Sequence, residues 1–126
     1  MKSFDIWNGL KKQLDERENL PFANQREIWW CSLGLNVGTE EDGKNELFER
    51  PVLILKVFSK TMIRIAPLTS KARNDDHHVP ITYNDREGSV ILSQIKTIST
   101  KRLSRKLTRL DKMQFEIVST RVRGSL

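Results

Sequence analysis

Several residues in this chain have side chains that could carry chemistry, and their spacing says which of them can act together. His77 and His78 are adjacent imidazoles, the usual acid/base groups near neutral pH. Side by side at the start of an extended segment, only one of them can face a given pocket, and the pair reads as exposed and idle. Cys31 is the one cysteine, and it lies inside the apolar run IWWCSL. It reads as a small buried residue rather than a nucleophile. Glu40, Glu41 and Asp42 could in principle hold a hard cation, but no His or further carboxylate nearby completes a ligand set, so a solvated acidic loop is expected. Arg50 and Thr69 come together only through folding. Residues 50–70, RPVLILKVFSKTMIRIAPLTS, form two apolar runs with a polar break at Ser59–Lys60, the pattern of two buried strands joined as a hairpin. A two-residue loop at Ser59–Lys60 would place Phe58 opposite Thr61, Ile54 opposite Ile65 and Arg50 opposite Thr69. Opposed Cβ atoms lie about 4.5–5.5 Å apart. A guanidinium and a hydroxyl would then meet at the open end of the hairpin. Ser-Lys is an unfavourable two-residue turn, because neither residue readily takes a positive φ, and a longer loop would shift this register.

The elements that must hold this pair follow from periodicity. Phe4, Trp7, Leu10 and Leu14 make a helical stripe over residues 3–17, with Ser3 as N-cap, and Pro21 prevents its continuation. Residues 26–33, REIWWCSL, read as a strand in which Ile28, Trp30 and Ser32 face one way and Glu27, Trp29, Cys31 and Leu33 the other. Residues 34–49 hold three glycines and a cluster of acids and read as a long loop without phosphate-loop spacing. Residues 71–78 are a polar connector. Residues 79–83 form a short strand whose Pro80 marks an edge, residues 84–88 a turn, and residues 88–98 an apolar strand bent near Gln94. Residues 101–110, KRLSRKLTRL, have leucines at helical steps among many cations, and their structure is open. Asp111 followed by Gln114 is a capping pattern for a final helix. Its apolar face is either Met113, Ile117 and Val118 or Phe115, Val118 and Val122.

The chain of 126 residues suits one domain with a modest core, and 37% apolar with 30% charged residues fits a folded, soluble class. The net charge is +6, and it is concentrated. Residues 101–126 carry eight Lys or Arg against two Asp or Glu, which is +6 by itself, so the other hundred residues sum to about zero. Such a segment suits a polyanion, a solvated face or an acidic partner. A single cysteine fits a reducing compartment. No apolar run reaches the roughly 20 residues that span a bilayer. A cytoplasmic protein with no membrane association is expected. The architecture expected is α+β, mostly β: a small bent barrel of about five to seven strands with helices at both termini.

The blocks REIWWCSLGLNVGTEEDG, ERPVLIL, IAPLTSK and SVILSQIKTISTKRLSRKLTRL, in that order, resemble the MazF/PemK family of toxin endoribonucleases. The resemblance covers roughly residues 26–110 and continues into the final helix. It implies a single SH3-like barrel domain over residues 1–126, with a core at 25–122 and residues 1–24 as a helical extension absent from the shortest members. It also implies a homodimer, a cognate antitoxin as inhibitor, and cleavage of single-stranded RNA with no cofactor and no metal. By motif, Arg50 of ERPVLIL and Thr69 of APLTS correspond to the family's catalytic pair, and Lys71, Gln94 and Lys96 are the implied RNA contacts. The sequence departs from the family pattern in three places besides the N-terminal extension. Residues 44–49 lengthen the loop. Ser93 stands where many relatives carry an acid. Lys96 replaces a common Arg.

The implied chemistry is transesterification: a ribose 2′-OH attacks the adjacent phosphorus and the 5′-oxygen leaves. Arg50 would present a planar donor fork to phosphate oxygens, and Thr69 would hold an oxygen by its hydroxyl. Free guanidinium is a poor base, so either Arg50 is unusually perturbed or another group, with His77, His78 and Glu40 as candidates, assists. Trp29 or Trp30, with Lys71, Arg73 and Arg86, could hold unstacked bases. Two rival classes share the fold: a binding module that has lost catalysis, and a toxin aimed at a protein such as DNA gyrase.

Overall fold

The computed structural model describes residues 20–33 and 49–125. The helix expected over residues 3–17 and all but the last residue of the loop expected over 34–49 lie outside them. Among the described residues there are seven strands, one α-helix and two short 3₁₀ turns: β1 (Glu27–Ser32), β2 (Glu49–Val57), β3 (Met62–Thr69), β4 (His78–Tyr83), β5 (Arg86–Ile91), β6 (Lys96–Ser99), β7 (Leu103–Arg109) and α1 (Lys112–Gly124), with the 3₁₀ turns at Leu92–Gln94 and Thr100–Arg102. The strands run in the order β4-β5-β3-β2-β1-β7, and β6 also pairs with β3.

β3 is the corner of the sheet. Its first half, Met62 to Ile65, pairs with β6, while Leu68 and Thr69 pair with β5. β5 and β6 are therefore not the single bent strand that the apolar run 88–98 suggests. A 3₁₀ turn at Leu92–Gln94 divides them and passes the chain from one end of β3 to the other. One strand thus serves two sheet segments, and the sheet curls into a half-barrel.

Both faces of β1, β2 and β3 are covered, which explains the almost unbroken aliphatic run of PVLIL. One face packs Ile28, Leu53, Leu68, Val90, Leu110, Phe115 and Val118 between the sheet and α1. The other gathers Trp29, Cys31, Val52, Ile54, Ile65 and Leu103. The two tryptophans separate as alternation requires. Trp29 enters the second cluster, and half-buried Trp30 carries the Arg105 guanidinium 5.0 Å above its ring.

The hairpin loop is longer than two residues. Both Phe58 N–H and Ser59 N–H donate to the Met62 carbonyl, at 3.0 and 3.2 Å, so Phe58 lies near Met62 rather than Thr61. A bulge between Ile54 and Lys56 absorbs the extra residue, and beyond it Ile54 faces Ile65, Leu53 faces Ala66 and Val52 faces Pro67. From Ile54 to Val52, where the β2–β3 pairing ends, the register is therefore the one that a two-residue loop would give. The turn in NDREG is shorter than expected. Asn84 and Asp85, at φ 48° and 59°, make a two-residue hairpin turn, and Arg86 already pairs with Tyr83. Pro80 lies on edge strand β4, where its missing N–H costs no ladder bond.

The cationic segment 101–110 is mostly strand: a 3₁₀ turn, Thr100–Arg102, leads into β7. β7 pairs antiparallel with β1, with Leu103 opposite Cys31 and Arg109 opposite Glu27. Among the described residues β7 is an edge strand, and its exposed Arg and Lys side chains disfavour pairing with a further strand. In α1 the second of the two apolar faces is the buried one. Phe115 and Val118 sit in the core with Val122 against it, whereas Met113 is 77% and Ile117 53% exposed. Asp111 caps α1 by accepting from Gln114 N–H at 2.9 Å. The Gln114 amide also turns outward to the edge, accepting from Thr82 N–H at 2.7 Å and donating to the Thr82 carbonyl at 2.8 Å.

Glu27 shows how a buried charge is supported here. Burial pushes its carboxyl up, but donors from Trp29 Nε1, Asn24 N–H and Lys106 Nζ outweigh that and hold it below the usual range. Between the folded and unfolded values the folded chain binds fewer protons. This stability is therefore present above the ordinary carboxylate pKa and lost as pH falls through the depressed folded one. Glu27→Gln should lower the melting temperature at neutral pH and flatten its decline between about pH 5 and 3. An acid limb identical to wild type would refute this role.

Candidate active site

Arg50 is the second residue of β2 and Thr69 the last of β3, and the hairpin brings the two strand ends together. Arg50 Nη2 donates to the Leu68 carbonyl at 2.9 Å, so the guanidinium is tied to the residue preceding Thr69. Both side chains are mostly covered, Arg50 at 6% and Thr69 at 8% exposure. On its other side Arg50 pairs with Cys31 of β1, and Glu49 with Ser32.

Thr69 is held by the turn that follows it. Its Oγ1 accepts from Lys71 N–H at 3.3 Å, and Ser89 Oγ donates to the Lys71 carbonyl at 2.6 Å. A hydroxyl bonding the backbone two residues on is a common turn device. It fixes the Lys71 backbone beside Thr69 and leaves the Lys71 side chain exposed. Ser89 faces Thr69 across the β3–β5 ladder. Next to it, a Cβ on Gly88 would lie 2.5 Å from the Thr69 carbonyl oxygen, so only glycine allows β5 to approach this closely. Neither Gly88 nor Ser89 stands out in the sequence, because the strand that each supports is distant in the chain.

The remaining sequence candidates divide. Lys96 opens β6 opposite Ile65, and Gln94 is half-buried in the 3₁₀ turn before it. Burial pushes the Cys31 thiol up to about 12, while the charges of Arg102 and Lys96 pull it down. The thiol is therefore neutral and no nucleophile. The same interaction places Lys96 and Arg102 within electrostatic reach of Arg50's strand partner. Arg102, absent from the sequence candidates, also donates to the Ser32 carbonyl at 3.4 Å. Ser32 Oγ is buried without a hydrogen-bond partner among the described residues.

The histidines lie elsewhere. His78 begins β4, and β5 stands between β4 and β3, which separates it from Thr69 by two strand spacings, roughly 10 Å. Its Nδ1 is bonded to Asp75 Oδ1 at 2.8 Å, and His77 N–H donates to the same carboxylate oxygen at 2.9 Å. Through the His78 bond first, the Asp75 carboxyl is held below its ordinary value. His77 is exposed, as are Arg73 and Arg86. Glu40 lies outside the described residues. Among those described, no group of three or more His, Cys, Asp or Glu could hold a metal, and no helix is long and apolar enough to cross a membrane.

A curled half-barrel sheet closed by one C-terminal helix is the fold of MazF-like toxins. The chain superposes on an endoribonuclease in complex with its cognate antitoxin from a mycobacterial species, with a TM-score of 0.64 at 17% identity, covering 82% of this chain and 93% of that one. It is similar to MazF from Deinococcus radiodurans (TM-score 0.64, 16% identity, 86% and 97% covered). It is also similar to the Mycobacterium tuberculosis toxin MazF-mt6 (TM-score 0.58, 23% identity, 79% and 94% covered). No curated protein sequence matches it. The sequence model of the PemK-like, MazF-like toxins of type II toxin–antitoxin systems matches residues 24–126, and the chain belongs to that family.

Proposed function

We propose that this toxin is an endoribonuclease that cuts single-stranded RNA without a metal. The observation that carries the reading is Arg50, anchored by the Leu68 carbonyl at the strand end that bears Thr69. The similar structures described as endoribonucleases agree with it. In the reaction the 2′-oxygen forms a bond to phosphorus, its proton passes to an acceptor, the P–O5′ bond breaks, and the 5′-oxygen takes up a proton. A 2′,3′-cyclic phosphate remains. Arg50 steadies the anionic phosphorane and Thr69 holds an oxygen. Lys71, Gln94 and Lys96 contact the flanking RNA. Arg50 and Thr69 are more than nine-tenths covered, so substrate entry requires that coverage to be displaced. A cognate antitoxin would inhibit the enzyme, which works as a homodimer in a reducing, cytoplasmic setting. Residues 25–122 form its core and residues 1–24 an extension.

Incubation with a long single-stranded RNA in excess EDTA should yield discrete cuts with cyclic-phosphate ends at the rate seen with Mg²⁺ present. Loss of cutting in EDTA, restored by a divalent ion, would overturn metal independence. The coverage of Arg50 and Thr69, together with Ser93 in place of an acid, favours a second reading, a binding module without catalysis. RNA binding with no cleavage under any condition would select it.

A further inference from the structure

At the other end of β1 from Arg50 lies a cavity of about 610 Å³ whose rim includes Arg26, Arg109, Lys112 and Arg123, with Glu116 as its one carboxylate and Phe115 at its floor. Four cations against one anion leave a local charge of +3. Arg109, Lys112 and Arg123 are exposed, and among the described residues no carboxylate forms an ion pair with any of them. Three of the eight cations concentrated in residues 101–126 therefore converge on one opening. The fourth, Arg26, comes from the far end of the chain and holds a backbone that L-residues rarely adopt, at φ 79°. Its N–H donates to the Ile54 carbonyl, its carbonyl accepts from Leu110 N–H, and its Nε donates to the Leu110 carbonyl at 3.1 Å. The side chain is thus pinned at the cavity wall. Asp111, whose carboxylate is engaged by Gln114, is close enough to feel the Arg26 charge.

We propose that this cleft is a second phosphate-binding station for the RNA strand, separate from Arg50 and Thr69. The inference rests on RNA being the substrate. Two observations favour a continuous polyanion over an acidic peptide. Glu27, paired with Arg109, and Cys31, paired with Arg50, are four residues apart on β1, so the two stations lie roughly 13 Å apart along that strand. Between them β7 exposes two further cations, Arg105 over the Trp30 ring and Lys106, which also contact Glu49 and Glu27. A strand leaving Arg50 along this edge passes these cations and an aromatic face before reaching the cleft.

The test uses the full chain and a single-stranded RNA methylated at every 2′-oxygen, so that binding is read without cleavage. The triple variant Arg109→Ala, Lys112→Ala, Arg123→Ala should bind it more weakly. The slope of log affinity against log salt should fall by about 2, for three contacts at roughly 0.7 each. Arg109→Lys with Arg123→Lys should keep the wild-type slope, since a phosphate track reads charge. Unchanged melting curves would show that the exposed substitutions leave the fold alone. Wild-type affinity and slope in the triple variant would overturn the proposal, as would loss of binding to poly-glutamate with RNA binding intact. Cleavage of unmodified RNA is scored separately. A wild-type protein that binds with the full slope yet never cuts would sink the nuclease reading and leave the cleft standing.

Discussion

Arg50→Ala is expected to reduce RNA cleavage by a factor of about 10²–10³, the loss that follows removal of one donor aimed at charge developing in a transition state. The structure adds a second consequence. Arg50 is buried and donates to the Leu68 carbonyl. Its removal takes a donor from that buried carbonyl, and a stability loss of about 1–3 kcal/mol should accompany the loss of activity. The two effects are separated by assaying well below both melting temperatures and by including Arg50→Lys. That variant keeps the positive charge but not the planar fork, and should fall between wild type and Ala in cleavage. A folded Arg50→Ala protein cutting at the wild-type rate would remove Arg50 from the reaction.

Gly88→Ala is the second large effect, and it acts on Thr69 without touching substrate. The added Cβ would meet the Thr69 carbonyl oxygen at 2.5 Å, and backbone cannot yield as a flexible side chain can. Either β5 withdraws from β3 or the Thr69 strand end moves. Forcing extra volume into such a packed contact costs about 1–3 kcal/mol. Because Ser89 holds the Lys71 carbonyl and Lys71 N–H bonds the Thr69 hydroxyl, the displacement reaches the site. Thermal unfolding and cleavage should therefore both suffer. Ala substituted at exposed Glu87, next in sequence, should leave both near wild type. A Gly88→Ala protein with unaltered melting and unaltered cleavage would show that the close approach has no bearing on Thr69.

Residue patterns along the chain determined much of this molecule. Alternation separated Trp29 from Trp30, the unbroken PVLIL run announced a strand covered on both faces, and Asp111 with Gln114 marked where the helix begins. These properties are local, because side chains alternate along any strand and a cap needs only its own first turn. The blocks around Arg50 and Thr69 pointed to the family for the same reason, since each is a continuous piece of chain. The hairpin register beyond the bulge, up to Val52 opposite Pro67, was legible, although the three residues between Phe58 and Met62 and the bulge before Lys56 each shift it by one and cancel.

Tertiary structure alone decided the rest. Leu103, Leu107 and Leu110 have helical spacing, yet the segment is strand because the free edge of β1 takes it as a partner. α1 carries two overlapping apolar faces, and only the sheet selects Phe115 and Val118 over Met113 and Ile117. The support of Thr69 by Gly88 and Ser89, and the meeting of Arg26 with Arg109, Lys112 and Arg123, join positions far apart in the chain. Periodicity reports which side chains share a face. What that face meets is set by loop closure and packing between distant segments, and no local pattern encodes it.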